Sequence, residues 1–499
     1  MRKALIPMIA VVAAACGGTS GNGQTNPDGG TGDTTSAPVI ASFIFNPATI
    51  TAGQSAQLTA TFSGGTAIVD KGVGAVQSGV AVSVTPTETT TYTLVVTAVG
   101  GASATASASA TVSGSNICIG KTLLSGLSKT HLLAGFADSN NDPTETAATW
   151  DADYRYLSGG VSDGASACTT TCGGCSQGGN SCGSGCNWWG CFQEASATPG
   201  LYVSRNISGS QSRGQIQWFT YYEILQSSGA QEGGPEVQAL NNAAFAGRVL
   251  SDMQLLFKTI GTSTAFVHVE PDFWGYAQQL NSDPTKIPVQ LSGFADCSGQ
   301  PNTLVGFVHC VIGMARKYSP NVRIGFHASA FATGTDVGIN TNPALDVAGE
   351  AKKLTDYFKL LGADAGDFIV VDASDRDEGF YLTQRHDGGA HTWDPTNATL
   401  PNFHQHFTWV KALAENLSLP VFYWQVPIGN AAQNNTNNHY KDNRVDYFYA
   451  HPDELAAAHV AGMLFGAGDG SQTTAQTDGN NLINKEKAYV TSGGEALCQ

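Results

Sequence analysis

Apolar positions follow two regimes along this chain. Over 39–45, 56–62, 80–84, 91–99 and 102–112 they alternate in short runs separated by Gly, Pro and Thr clusters, with no helical period. That pattern predicts an all-β sandwich over 37–114. From Cys118 onward, strand-like runs alternate with helical stretches. Strands are expected at 131–138, 154–158, 216–223, 265–270, 322–327, 368–372, 421–425 and 461–465. Helices are expected at 240–260, with Val249, Met253, Leu256 and Ile260 on one face, and at 304–318 and 344–361. Eight strand–helix repeats predict a (β/α)8 barrel of the TIM type over 118–499.

The N-terminus reads as an address rather than a fold. Arg2 and Lys3 precede an apolar run over 4–15, too short for a membrane-spanning helix. The run ends Ala13-Ala14-Ala15-Cys16, which resembles the lipobox of bacterial lipoproteins. The resemblance implies removal of 1–15 and lipidation of Cys16; the plainer alternative is a secretory signal cut after Ala15. A polar tether over 16–36 follows. The phrases ITAGQSAQLTATF and TPTETTTYTLVVTA over 37–114 resemble bacterial immunoglobulin-like modules of the spacer type. The expected localisation is the bacterial cell envelope, at the outer membrane or cell surface, with the lipid as the sole membrane contact.

Cysteine usage fits an exported chain. Of 11 Cys, ten remain after Cys16, an even number suited to disulfides. Six crowd into an insert over 168–191, where a zinc reading of Cys172 and Cys175 competes with disulfide staples and loses to them in so Gly-rich a segment. Cys297 pairs with Cys310, and Cys118 with Cys498. Only 13% of residues are charged and the formal net charge is −16, with no Lys/Arg cluster, so nucleic acid is excluded as a partner. No motif asks for a cofactor, and no metal site is assigned.

In a barrel of this kind the chemistry sits at the C-terminal ends of the strands. Those ends carry Asp138, Glu223, Glu270 with Asp272, His327, Asp372, Trp424 with Gln425, and Asp469. The stretch AFVHVEPDFWGY is the most telling. Alternation places Val267 and Val269 on one face and Phe266, His268 and Glu270 on the other, and aromatic rings follow at once. Paired carboxylates beside aromatic rings suit cleavage of a sugar–sugar bond: one acid protonates the leaving oxygen, the second carboxylate activates water or attacks, and rings stack on sugar faces. Asp272 or Glu270 is the candidate acid, and Asp372 or Glu223 the base or nucleophile. Trp274, Tyr222, His327, Trp424, Gln425, His439 and Asp442 are candidate substrate contacts. Simpler roles stand beside these. Asp272 caps the following helix, Glu270 sits in an ion pair, and His439 and Asp442 pin a long loop. Asp375 and its neighbours read as a solvated turn.

The stretch VHVEPDFWG is similar to the IEPD motif of family-6 glycoside hydrolases, the inverting cellulases. A preceding helix, the Cys297 and Cys310 pair and the strand VRIGFHAS extend the likeness over about 215–430. The resemblance implies that Asp272 is the general acid. The family's PDRDC is absent, YYEILQSSG standing there, and Trp424-Gln425-Val426-Pro427 replaces a Trp-Val-Lys-Pro motif. The expected function is a secreted, lipid-anchored glycoside hydrolase acting on a polysaccharide or oligosaccharide. The alternatives are a non-catalytic glycan-binding surface lipoprotein and a metal-dependent hydrolase using His268, Glu270, His327 and Asp372.

Overall fold

A computed structural model describes residues 37–50, 55–86, 90–112, 119–137, 147–158, 161, 199–466, 468 and 471–497. Cys16, the 1–15 and 16–36 segments, the 168–191 insert, Cys118, Cys498, Asp138 and Asp469 lie outside the described residues. The chain divides into two units, residues 1–115 and 116–499.

The first unit is all-β. Strands β1 (Val39–Asn46), β3 (Ala56–Ser63) and β6 (Ala81–Val84) form one antiparallel sheet. Strands β2 (Thr49–Ile50), β8 (Ser103–Val112), β7 (Thr90–Thr97), β4 (Thr66–Val69) and β5 (Gly74–Val76) form the other, in that order. Alternation works as expected here: Phe43, Phe45, Leu58, Ala60, Leu94 and Val96 point inward from both sheets into one core.

The second unit is a closed eight-stranded parallel barrel. Its strands are β9 (Leu133–Ala137), β10 (Ala152–Leu157), β11 (Ile216–Tyr221), β12 (Ala265–Val269), β13 (Val322–His327), β14 (Phe368–Asp372), β15 (Val421–Val426) and β16 (Val460–Phe465). Strand β16 pairs back onto β9 and leaves no free edge. Helices Ala243–Ile260, Leu304–Tyr318, Val347–Leu361 and Phe403–Leu417 each begin at a side-chain cap, from Asn242, Thr303, Asp346 and Asn402 respectively. Their apolar faces cover the outside of the strands. Cys297 and Cys310 form a disulfide, as expected.

The lumen is a packed core. Trp218, Phe266, Phe368 and Phe422, from β11, β12, β14 and β15, make a plug in which all six ring pairs lie 5.0–5.4 Å apart. Strands β13 and β16 make room for it with glycine. A Cβ on Gly325 would lie 2.3 Å from the Phe368 ring, and one on Gly462 would lie 2.7 Å from the Phe422 ring. The plug is the floor on which the candidate site stands. Among the described residues, no helix is long and apolar enough to cross a membrane.

Candidate active site

Above the plug, the C-terminal ends of β12, β13 and β14 bring together Asp272, His327 and Asp372. His327 ends β13 and is buried. Its Nε2 stands 3.3 Å from Asp372 Oδ1 and 3.6 Å from Asp272 Oδ1, aligned squarely with neither. Ser329 Oγ donates to Asp272 Oδ1 at 3.0 Å. The carboxyls look out into the barrel mouth, 38% exposed for Asp272 and 27% for Asp372. Two oxygens that share one nitrogen at these distances are at most about 7 Å apart, compatible with the roughly 5–10 Å separations of glycosidase carboxyl pairs.

The environment drives the two acids apart. Burial, helped by the Asp372 charge, raises Asp272 to about 6 against the pull of His327 and Ser329. Burial acts on Asp372 in the same sense, but the close approach of His327 overcomes it and holds Asp372 below the usual carboxylate range. Burial likewise opposes charge on His327, yet the two carboxylates, Asp372 the nearer, raise it. One acid that keeps its proton beside one that gives it up is the division of labour acid–base chemistry needs.

The backbone reaches this arrangement under strain. Glu270 and Asp272, on either side of Pro271, have φ of 46° and 62°, in the left-handed region. Asp272 occupies the N-cap position of helix Phe273–Leu280, but its side chain makes no cap hydrogen bond. The carboxyl that would have capped the helix is turned toward Ser329 and His327 instead.

Aromatic groups wall the mouth. Trp424 stands nearly perpendicular to the His268 and His327 rings, with centroids 4.9 and 5.8 Å away. Tyr156 lies 5.6 Å from Trp424 and 6.5 Å from Tyr222. Tyr156 also donates to Gln425 Oε1, and Gln425 Nε2 donates to Asp375 O at 3.2 Å. Gln425 therefore ties β15 to β10 and to the loop after β14. The Asp375 side chain accepts from the Tyr381 hydroxyl and pairs with Arg376, so that turn is fastened to the rim.

Of the expected site residues, the structure brings Asp272, Asp372, His327, Tyr222, Trp424 and Gln425 to the mouth. It sends others elsewhere. Glu270 does not face the lumen, because the left-handed turn ends the alternation at Val269. Its carboxyl accepts the backbone N–H groups of Glu223 and Ile224 at 3.1 and 3.0 Å. Its charged neighbours are Glu236 and Asp252, outside the barrel wall, and burial raises its pKa to about 8. Glu223 is fully buried in the same cluster, beside Tyr221. Trp274 lies behind β12, donating from Nε1 to Val269 O at 2.8 Å and packing on Phe273 and Phe326. Asp442 is buried against Arg444 and accepts from Glu378 N. His439 Nδ1 meets Gln433 Oε1 and Thr477 O, which pins its loop. The metal reading finds no geometry: His268 faces Thr220 and His327 rather than a carboxylate. Among the described residues, no group of three His, Cys, Asp or Glu is placed to hold an ion. Ser329 and Tyr156 were missed. Ser329 stands two residues past the end of β13, the one signal that could have found it. Clefts lined by 291–302 and by Gln238, Leu280 and Lys286 lie on the flank and share no residue with the mouth.

No protein-family model matches the chain, and no curated protein does. Among solved structures, a modular endo-β-1,4-mannanase of glycoside hydrolase family 26 from Cellulomonas fimi shares 12% identity, with 76% of each chain covered and a TM-score of 0.41. A family-5 xyloglucanase from Bacteroides ovatus shares 10% identity over 91% of this chain and all (100%) of that one, at a TM-score of 0.40. The endoglucanase Cel6 from Mycobacterium tuberculosis shares 11% identity over 56% of this chain and 80% of that one, at a TM-score of 0.28. At these scores the likeness is one of outline and carries no argument about the reaction.

Proposed function

We propose that the barrel is a glycoside hydrolase that cleaves a polysaccharide with Asp272 as general acid and Asp372 as base or nucleophile. The observation that carries this reading is the pair itself. Two carboxyls flank His327 Nε2 at 3.6 and 3.3 Å at the C-terminal mouth of the barrel, with burial raising Asp272 to about 6 and His327 holding Asp372 low. Asp272 would protonate the departing glycosidic oxygen, while Asp372, on the other side of the bond, activates water or attacks the anomeric carbon. Tyr156 and Tyr222, backed by the buried Trp424, offer the aromatic surface on which sugar rings pack. Release of new reducing ends from a panel of plant and microbial polysaccharides tests this. Wild type should degrade at least one member, and Asp372→Asn should degrade none; a wild type inert on every one would sink the reading.

The N-terminal part is proposed to display this enzyme at the cell surface, with a lipid on Cys16, the 16–36 tether and an immunoglobulin-like spacer. The motivating feature is the run Ala13-Ala14-Ala15-Cys16. Cys16→Ser should leave the membrane fraction, and fractionation identical to wild type would rule the anchor out. The 168–191 insert is proposed to be held by disulfides, and several free thiols in the unfolded, unreduced protein would contradict that.

A further inference from the structure

Beneath the carboxyl pair, a line of polar groups descends into the barrel. Trp218 Nε1–H donates to Thr220 Oγ1 at 3.1 Å. Thr220 Oγ1 stands 3.3 Å from His268 Nδ1, and His268 Nε2 stands 3.2 Å from His327 Nδ1. All four residues are buried, at 1% exposure or less. The line ends at His327 Nε2, between Asp372 and Asp272.

Donor chemistry gives the line a direction. An indole N–H only donates, so Thr220 Oγ1 accepts it. The hydroxyl's own hydrogen then has one acceptor within reach among the described residues, His268 Nδ1. With Nδ1 accepting, His268 carries its proton on Nε2 and donates to His327 Nδ1. With its Nδ1 accepting in turn, His327 carries a proton on Nε2 alone and offers it to the carboxyls. Every donor as far as His327 Nδ1 meets an acceptor, and the final Nε2–H faces the two carboxyls at 3.3 and 3.6 Å. The reverse direction makes Thr220 Oγ1 accept twice and leaves a buried hydroxyl hydrogen without a partner, which buried polar groups avoid.

We propose that Trp218, Thr220 and His268 form a polarised hydrogen-bond chain that holds His327 as the neutral Nε2–H tautomer, so that the mobile proton of the cluster resides on Asp272. This rests on the reading of Asp272 as general acid. The titratable groups that face His327 are Asp272, Asp372 and His268, with the Trp424 ring packed against it from β15. The two carboxylates draw a second proton toward His327. The chain works in the opposite sense, because a doubly protonated His327 would point Nδ1–H at the Nε2–H of His268. Burial and the neighbouring His327 keep His268 itself neutral. Thr220 and His268 are thus positioning residues: they touch no substrate and act through His327.

Histidine-selective 15N labelling of the full chain tests this, with His327 assigned from the spectrum of His327→Gln. At about pH 5, where Asp272 still holds its proton, the wild type should show His327 with Nδ1 unprotonated and Nε2 protonated. Thr220→Val keeps the shape and removes the hydroxyl; His327 should then move toward the doubly protonated form. Turnover of substrates with poor leaving groups should fall about 10-fold, part of the roughly 10²–10⁴ that a general acid contributes. Activated aryl glycosides should be spared, and Thr220→Ser should restore both readouts. A wild-type His327 protonated on both nitrogens would overturn the chain by itself, whether or not Thr220→Val folds. A Thr220→Val spectrum identical to wild type would do the same. A wild type without hydrolytic activity would sink the glycosidase reading, and the histidine spectrum would still judge the chain.

Discussion

Asp272 shows how much one residue's surroundings decide. The same Asp at the head of a helix would normally cap it and stay ionised at neutral pH. Here the backbone turns left-handed on both sides of Pro271 and delivers the carboxyl to a buried histidine and a second carboxylate. The opposed shifts of the two acids set the pH dependence. In the proposed roles, activity requires Asp372 ionised and Asp272 protonated. The profile of kcat/KM should therefore rise on the acid side as Asp372 ionises, below the usual carboxylate range, and fall as pH passes about 6, where Asp272 loses its proton. A profile flat from pH 5 to about 8 would contradict the assignment.

At the scale of elements, Glu270 is a brace rather than a reagent. It joins the end of β12 to the loop after β11 through two backbone N–H groups. Burial raises its folded pKa to about 8 from 4.5. Between those values the unfolded chain is ionised while the folded one keeps its proton, so the native state binds more protons and stability falls as pH rises through the interval. Glu270→Gln preserves an acceptor oxygen and removes the titration. Its urea midpoint should fall less than that of wild type between pH 5 and about 8, and equal slopes would show that Glu270 does not titrate there. The same residue marks the limit of what the sequence discloses. The barrel strands are legible because β-branched and aromatic runs alternate with capped helices. The lumen-facing set is legible as far as Phe266 and His268. Alternation then misassigns Glu270, because a positive φ at a non-glycine residue leaves no trace in a hydrophobic pattern. Trp274 misleads in a related way: its N–H is satisfied by Val269 O behind the strand, a local bond that composition cannot report. Ser329 and Tyr156 reach the mouth only through strand pairing, which sets β10 beside β11 and β13 beside β12.

At the scale of the molecule, each unit has its own core: Phe43, Leu58, Leu94 and their neighbours in the first, the barrel wall and lumen in the second. A fragment spanning 116–499 should keep the turnover of the full chain and its main calorimetric transition; loss of either would show that the barrel depends on the β-rich unit. The packed lumen gives the mouth its floor. A four-ring plug supports two histidines, and they in turn support the carboxyl pair. The most direct test of the account is the leaving-group dependence of Asp272→Asn. If Asp272 is the acid, the variant should lose about 10²–10⁴-fold in kcat/KM on the cleaved polysaccharide and far less on an aryl glycoside whose leaving group needs no proton. Equal losses on both substrates, or none on either, would contradict it.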